Sequence, residues 1–257
     1  MKKGLVVILV SVCILLLGIF AWSKTLNIPS AFATVIDIGW SKITSMNEKD
    51  VEAAALGDSL AYGLGDEEDH GYIGDVKQRY ESSAKTTMVV KDYGVPNATS
   101  TDLLQKLNNE QIRSSAISSD IIFINIGTND FLKSTNHMTK FNEKELKVNQ
   151  KIYMKNLNEI LKILQDQKNP KTIYILGIYN PKVKWADMGK VNQTINSWNQ
   201  STIRVTKSHK NTAYIRTDDL FIHKDKQKYF SDKLHPNKKG YALIGKRVFN
   251  TVNQKSK

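Results

Sequence analysis

From residue 52 onward, short apolar runs and longer amphipathic stretches take turns. The runs at 52–57, 86–93, 120–126, 172–178 and 212–216 have strand length, and the segments between them are long enough for helices. Ile121-Ile122-Phe123-Ile124-Asn125-Ile126 is apolar on both faces apart from Asn125, the mark of a strand covered on both sides in the middle of a parallel sheet. Helices are expected at about 70–82, 99–109, 145–168, 188–208 and 237–253. In the third of these Ile152, Leu157, Ile160, Leu161 and Leu164 share a face. Alternation of this kind predicts an α/β fold, a three-layer α/β/α sandwich around a mainly parallel five-stranded sheet. The polar stretch 131–144 reads as a mobile loop beside the site. No internal repeat is evident, and about 205 residues suit a single domain.

The first residues follow another pattern. Met1-Lys2-Lys3 precedes an uncharged run from Gly4 to Trp22, long enough as a helix to cross a hydrocarbon core of ~30 Å. Two lysines before the run and only Lys24 soon after it favour an N-terminus in the cytoplasm and a domain outside. Ala31-Phe32-Ala33 offers a small-residue cleavage pattern, so residues 1–33 are expected to be a transmembrane anchor, which their apolar length favours, or a removed signal. Residues 34–50 then form a linker and 51–257 the domain. Cys13, the single cysteine, lies inside the apolar run, so the domain has neither a disulfide nor a cysteine nucleophile.

The net charge of +12 falls to +9 without residues 1–33, because Lys2, Lys3 and Lys24 leave 34 basic against 25 acidic side chains. A domain this basic attracts polyanions. Facing outward it would meet anionic lipid headgroups or wall polymers, and no nucleic-acid-reading module is present. Lysines dispersed over a solvated surface explain the same charge.

The candidate chemistry sits at two distant places. Gly57-Asp58-Ser59-Leu60 directly follows the apolar run Ala53–Leu56, which presents a serine hydroxyl at the C-terminal tip of a buried strand, where α/β sheets keep their reactive groups. A serine is a weak nucleophile until a base takes its proton. Near the other end, Ser231-Asp232-Lys233-Leu234-His235-Pro236 places a carboxylate three residues before an imidazole, on one side of a helical turn or tight loop. Together Ser59, His235 and Asp232 read as a split triad; taken singly, a helix-capping serine and two surface residues would explain them. Consecutive carboxylates in Asp66–Asp69 read as solvated loop charge rather than a metal site, the glycines of Tyr62-Gly63-Leu64-Gly65 do not form a phosphate loop, and no cofactor is required.

Four stretches in order, Gly57–Leu60, Asp92–Ser100, Gly127-Thr128-Asn129-Asp130 and Asp232–His235, make the chain resemble the SGNH hydrolases, also called GDSL esterases and lipases. The resemblance implies an SGNH/flavodoxin-like fold and a serine esterase acting on acyl esters, whether of lipids or of O-acylated glycans. It also implies three donors to the developing oxyanion: the Ser59 N–H, the Asn129 side-chain amide, and the backbone N–H of the residue at position 97. There the chain departs from the family, which usually has glycine; asparagine tolerates a left-handed backbone, so the Asn97 N–H is expected to point into the hole. Asp58 is expected behind the serine and Gly94 in a supporting turn. Tyr62, Phe131 and Trp185 are candidates to line the site or to fill the core. A conventional α/β-hydrolase lacks support because Ser59 is followed by Leu60-Ala61 rather than by x-Gly. A non-catalytic domain that binds the cell envelope through its basic surface is the alternative from another class.

Overall fold

The computed structural model describes residues 50–255 apart from 69, 85, 137–139, 166–170 and 184. The expected membrane segment and most of the linker lie outside the described residues, and among these no helix is long and apolar enough to cross a membrane. The elements, in order, are β1 (Val51–Gly57), α1 (Ser59–Tyr62), α2 (Gly71–Ala84), β2 (Met88–Gly94), α3 (Ser100–Lys106), α4 (Glu110–Ser118), β3 (Ile121–Asn125) and α5 (Thr128–Leu132). Then come the short strands β4 (Thr135–Asn136) and β5 (Lys140–Phe141), α6 (Glu143–Leu164), β6 (Ile173–Leu176), α7 (Met188–Lys207), β7 (Thr212–Ile215) and α8 (Lys238–Lys255).

The five long strands form one sheet in the order β2-β1-β3-β6-β7, every pairing parallel. Alternate residues of each strand face opposite layers. Leu56, Ile122 and Ile124 pack with Leu103, Leu107, Ala116, Leu157, Ile160 and Trp198 of α3, α4, α6 and α7. Ala53, Ala55 and Phe123 face Tyr72 and Val76 of α2 and Tyr241, Ile244 and Val248 of α8. Each large apolar side chain buried in this way contributes ~1.5–3 kcal/mol. The alanines on the second face leave room for the large aromatic side chains of α2 and α8.

Strand order positions the site. From β1 the chain moves outward to β2 on one side, while β3, β6 and β7 continue on the other, so the ends of β1 and β3 border the switch point where open α/β sheets bind ligands. Gly57 lies level with Gly94 of β2 and with Asn125 of β3, and the segments leaving all three strands emerge at one edge.

Two expectations fail. The helix expected at 99–109 ends at Lys106, and a helix that was not expected, α4, follows it, started by the Asn109 side chain accepting from the Ile112 N–H at 3.1 Å. The stretch 131–144 is not a plain loop. It holds the end of α5, the antiparallel β4–β5 pair and the start of α6, with Ser134 buried and accepting from Asn149 Nδ2 at 3.1 Å.

Candidate active site

Leaving β1, the chain turns at once into α1. Asp58 caps that helix, its Oδ1 accepting from the Leu60 N–H at 3.0 Å and from Asn125 Nδ2 at 3.2 Å, while its own N–H donates to Asn125 O at 3.0 Å. This sets Ser59 as the first helical residue, 5% exposed, with its N–H in the unpaired first turn. Asp58 thus sits directly behind the turn that carries Ser59. Its Oδ2 has no partner among the described residues, and burial, reinforced by the Asp130 charge, pushes its carboxyl from 3.8 up to about 7 against the two hydrogen bonds.

Asp232 and His235 lie in the irregular segment between β7 and α8. Asp232 Oδ1 accepts from the Leu234 and His235 N–H groups, both at 2.7 Å, which curls the loop so that Oδ2 meets His235 Nδ1 at 2.7 Å. His235 Nε2 lies 3.0 Å from Ser59 Oγ. An imidazole carrying its proton on Nδ1 thus donates to the acid and accepts from the serine. Partial burial of Asp232 opposes its charge, but the His235 ring and the two N–H groups outweigh that effect and hold the carboxyl below its ordinary value.

Several supports were invisible at the level of motifs. Tyr179, buried against Phe221 and Phe230, donates its hydroxyl to Leu234 O at 3.0 Å. Ser231 returns both its N–H and its hydroxyl to His235 O, at 3.0 and 3.1 Å. Gly65, at φ +99°, lets the loop after α1 lie against this segment: a Cβ there would be 2.6 Å from Pro236 O and 2.9 Å from His235 Cβ. Only contacts across the tertiary structure expose such roles.

The expected oxyanion donors come from the strands flanking β1. Asn97 has a φ of 65°, the left-handed conformation that its residue type tolerates, and its N–H finds no acceptor among the described residues. Asn129, at the start of α5, donates through Nδ2 to Ala98 O at 2.9 Å, which occupies one of its two amide hydrogens and leaves the other for a ligand. Gly94 is the last residue of β2 rather than a turn residue. A Cβ there would lie 2.3 Å from Tyr62 N, so its bareness is what allows α1 to cross the end of the strand.

Of the aromatic candidates, Tyr62 is 41% exposed, whereas Phe131 sits edge-on to Trp198 in the core and Trp185 is buried, donating to Asn180 Oδ1 at 3.1 Å. The His209 ring lies between Gln165 and Asn158, apart from the site residues, and His137 is outside the described residues. In the acidic loop Asp66 turns inward to accept from the Gly71 N–H at 3.2 Å, and Glu68 pairs with Lys238 at 2.5 Å. Among the described residues no group of three His, Cys, Asp or Glu side chains is placed to hold a metal ion.

Residues 55–243 match the GDSL-like lipase/acylhydrolase family. The chain belongs to that family. It is 29% identical over 204 residues to Uncharacterized protein YpmR of Bacillus subtilis (strain 168), covering 77% of this chain and 80% of that one. Its fold is similar to the lipase Lip_vut3 from a goat rumen metagenome, with a TM-score of 0.65 and 21% identity over 77% of this chain and 95% of that one. It is also similar to Axe2, an acetylxylan esterase from Geobacillus stearothermophilus, with a TM-score of 0.61 and 16% identity over 79% and 94%. As a GDSL-like hydrolase the chain is an ester hydrolase.

Proposed function

We propose that this GDSL-like hydrolase cleaves acyl esters through Ser59, with His235 as base and Asp232 as its orienting acid, on the outer side of the cytoplasmic membrane. The observation that carries the reading is the unbroken line of two hydrogen bonds, 3.0 Å from Ser59 to His235 and 2.7 Å from His235 to Asp232. In this mechanism Ser59 Oγ attacks the ester carbonyl carbon as its proton passes to His235 Nε2, and Asp232 stabilises the imidazolium. The tetrahedral oxyanion accepts from the Ser59 N–H, the Asn129 amide and the Asn97 N–H, each donor being worth ~3–4 kcal/mol in the transition state. His235 returns the proton to the departing alcohol, leaving an acyl-serine. A water deprotonated by the same nitrogen releases the acid. No step calls for a metal or cofactor. The outward location rests on the apolar run Gly4–Trp22 and its lysine flanks.

Lipid, lysophospholipid and short-chain acyl esters are the first substrate class. A second reading is removal of O-acetyl groups from carbohydrate such as peptidoglycan, in keeping with the fold shared with Axe2, an acetylxylan esterase. The test is hydrolysis of p-nitrophenyl acetate and octanoate, lysophosphatidylcholine and acetylated xylan by wild type and Ser59→Ala. Hydrolysis of the p-nitrophenyl esters or lysolipid without release of acetate from xylan supports the first reading, and hydrolysis of acetylated xylan supports the carbohydrate reading. A domain that only binds anionic lipid or wall polymer would hydrolyse none of them and would bind equally well with Ser59→Ala.

A further inference from the structure

The oxyanion donors of the proposed esterase lie on segments that are not neighbours in the sheet. Asn97 follows β2 and Asn129 opens α5 after β3, while β1 and its serine lie between. Something must hold the two segments at a fixed separation across the end of β1, because a misplacement of ~1 Å costs about 10²-fold in rate.

Two cross-links do so. Asn129 donates to Ala98 O at 2.9 Å. In the opposite direction the next residue, Asp130, clamps Ser100 with both oxygens, Oδ2 accepting from the Ser100 N–H at 2.8 Å and Oδ1 from its hydroxyl at 2.5 Å. Asp130 and Ser100 are both buried, so water does not compete for these bonds. A third element braces the clamp: Asn156 of α6, also buried, donates to Ser100 Oγ at 3.0 Å and to Thr101 Oγ1 at 2.9 Å. Ser100 is three residues from Asn97 and Asp130 is adjacent to Asn129, so the carboxylate ties the two donor segments to each other close to both donors.

We propose that the Asp130 carboxylate is a positioning residue of the oxyanion hole: by gripping Ser100 it sets the spacing between the Asn129 amide and the Asn97 N–H across the end of β1. The inference rests on the serine esterase reading. Its action falls on the transition state, because the carboxylate itself touches no substrate.

The experiment measures kcat and KM on p-nitrophenyl acetate, with thermal unfolding alongside, for the full-length chain and its Asp130→Ala, Asp130→Asn, Ser100→Ala and Thr217→Val variants. Thr217 is the control: its hydroxyl makes a comparable buried bond, to Gly177 O at 2.6 Å, away from the donor segments. Asp130→Ala is expected to lose about 10²-fold in kcat with KM within about twofold. Asp130→Asn, whose amide can still bridge to the Ser100 N–H and hydroxyl, keeps kcat within about tenfold of wild type. Ser100→Ala, which keeps only the N–H bond, falls between wild type and Asp130→Ala. Thr217→Val keeps the wild-type kcat. A folded Asp130→Ala chain with wild-type kcat, a loss that appears in KM, or an equal fall in kcat for Thr217→Val would each overturn the proposal. Should Asp130→Ala fail to fold, wild-type kcat in Ser100→Ala does the same. A wild-type chain that hydrolyses no ester overturns the esterase reading and the positioning role with it.

Discussion

Ser59 leaves a strand whose last residues, Ala53–Leu56, are fully buried, and it is capped from beneath by a carboxylate with no exposure at all. Asp232 and His235, which meet it from the other end of the chain, sit in an irregular loop in which the acid side chain is 57% exposed. Ser59, the proposed nucleophile, is therefore placed by the core, and His235, its proposed base, by hydrogen bonds within a few residues plus two outside supports, Tyr179 and Gly65. Changes on the nucleophile side should appear first in stability, and changes on the base side in turnover.

Asp232→Asn gives the largest contrast. The amide cannot hold the His235 tautomer as a carboxylate does, and kcat is expected to fall about 10²-fold, less than the ~10⁴-fold seen for a buried acid because solvent already screens this one. Thermal unfolding should barely move. A kcat within about threefold of wild type would mean that backbone hydrogen bonds alone orient the loop.

Gly65→Ala tests the point where the two halves touch. The added methyl meets Pro236 O and His235 Cβ at a φ that alanine resists, with an expected stability loss of ~1–3 kcal/mol and a fall in kcat of about tenfold. An unchanged kcat would separate the two halves more completely than the geometry indicates.

Asp58→Asn should act on stability alone. Burial raises this carboxyl from 3.8 to about 7, so the native chain keeps a proton that the unfolded chain releases. The stabilisation linked to that proton is complete below roughly pH 4 and lost as pH climbs to about 7. Asparagine removes the dependence, and the variant should gain on wild type by on the order of a few kcal/mol across that window, measured by denaturant unfolding at several pH values. A constant difference between the two would show that Asp58 is ionised throughout.

How far the sequence could be read follows the same division. β1 and β3 were legible because a strand buried on both faces needs an uninterrupted apolar run, and the left-handed Asn97 because few residues other than glycine tolerate that backbone. Ser59, His235 and Asp232 were legible as residue types at telling places, although 176 positions separate the serine from the histidine. What stayed hidden depends on distant partners. The helix α4 was missed because it is short and its start turns on the Asn109 side-chain cap within a polar run. Whether Phe131 and Trp185 line the site or fill the core is decided only when the core around Trp198 is assembled. Gly65 and Tyr179 gain their roles only because the fold lays them against the histidine loop.

The most direct measurement is mass-spectrometric labelling of the purified full-length chain with a fluorophosphonate, for wild type, Ser59→Ala and His235→Ala. A single adduct on Ser59, absent from Ser59→Ala and slowed by orders of magnitude in His235→Ala, is the expected result. A folded wild-type chain that stays unlabelled, or one labelled as fast without His235, would contradict a serine activated across the two halves of the site.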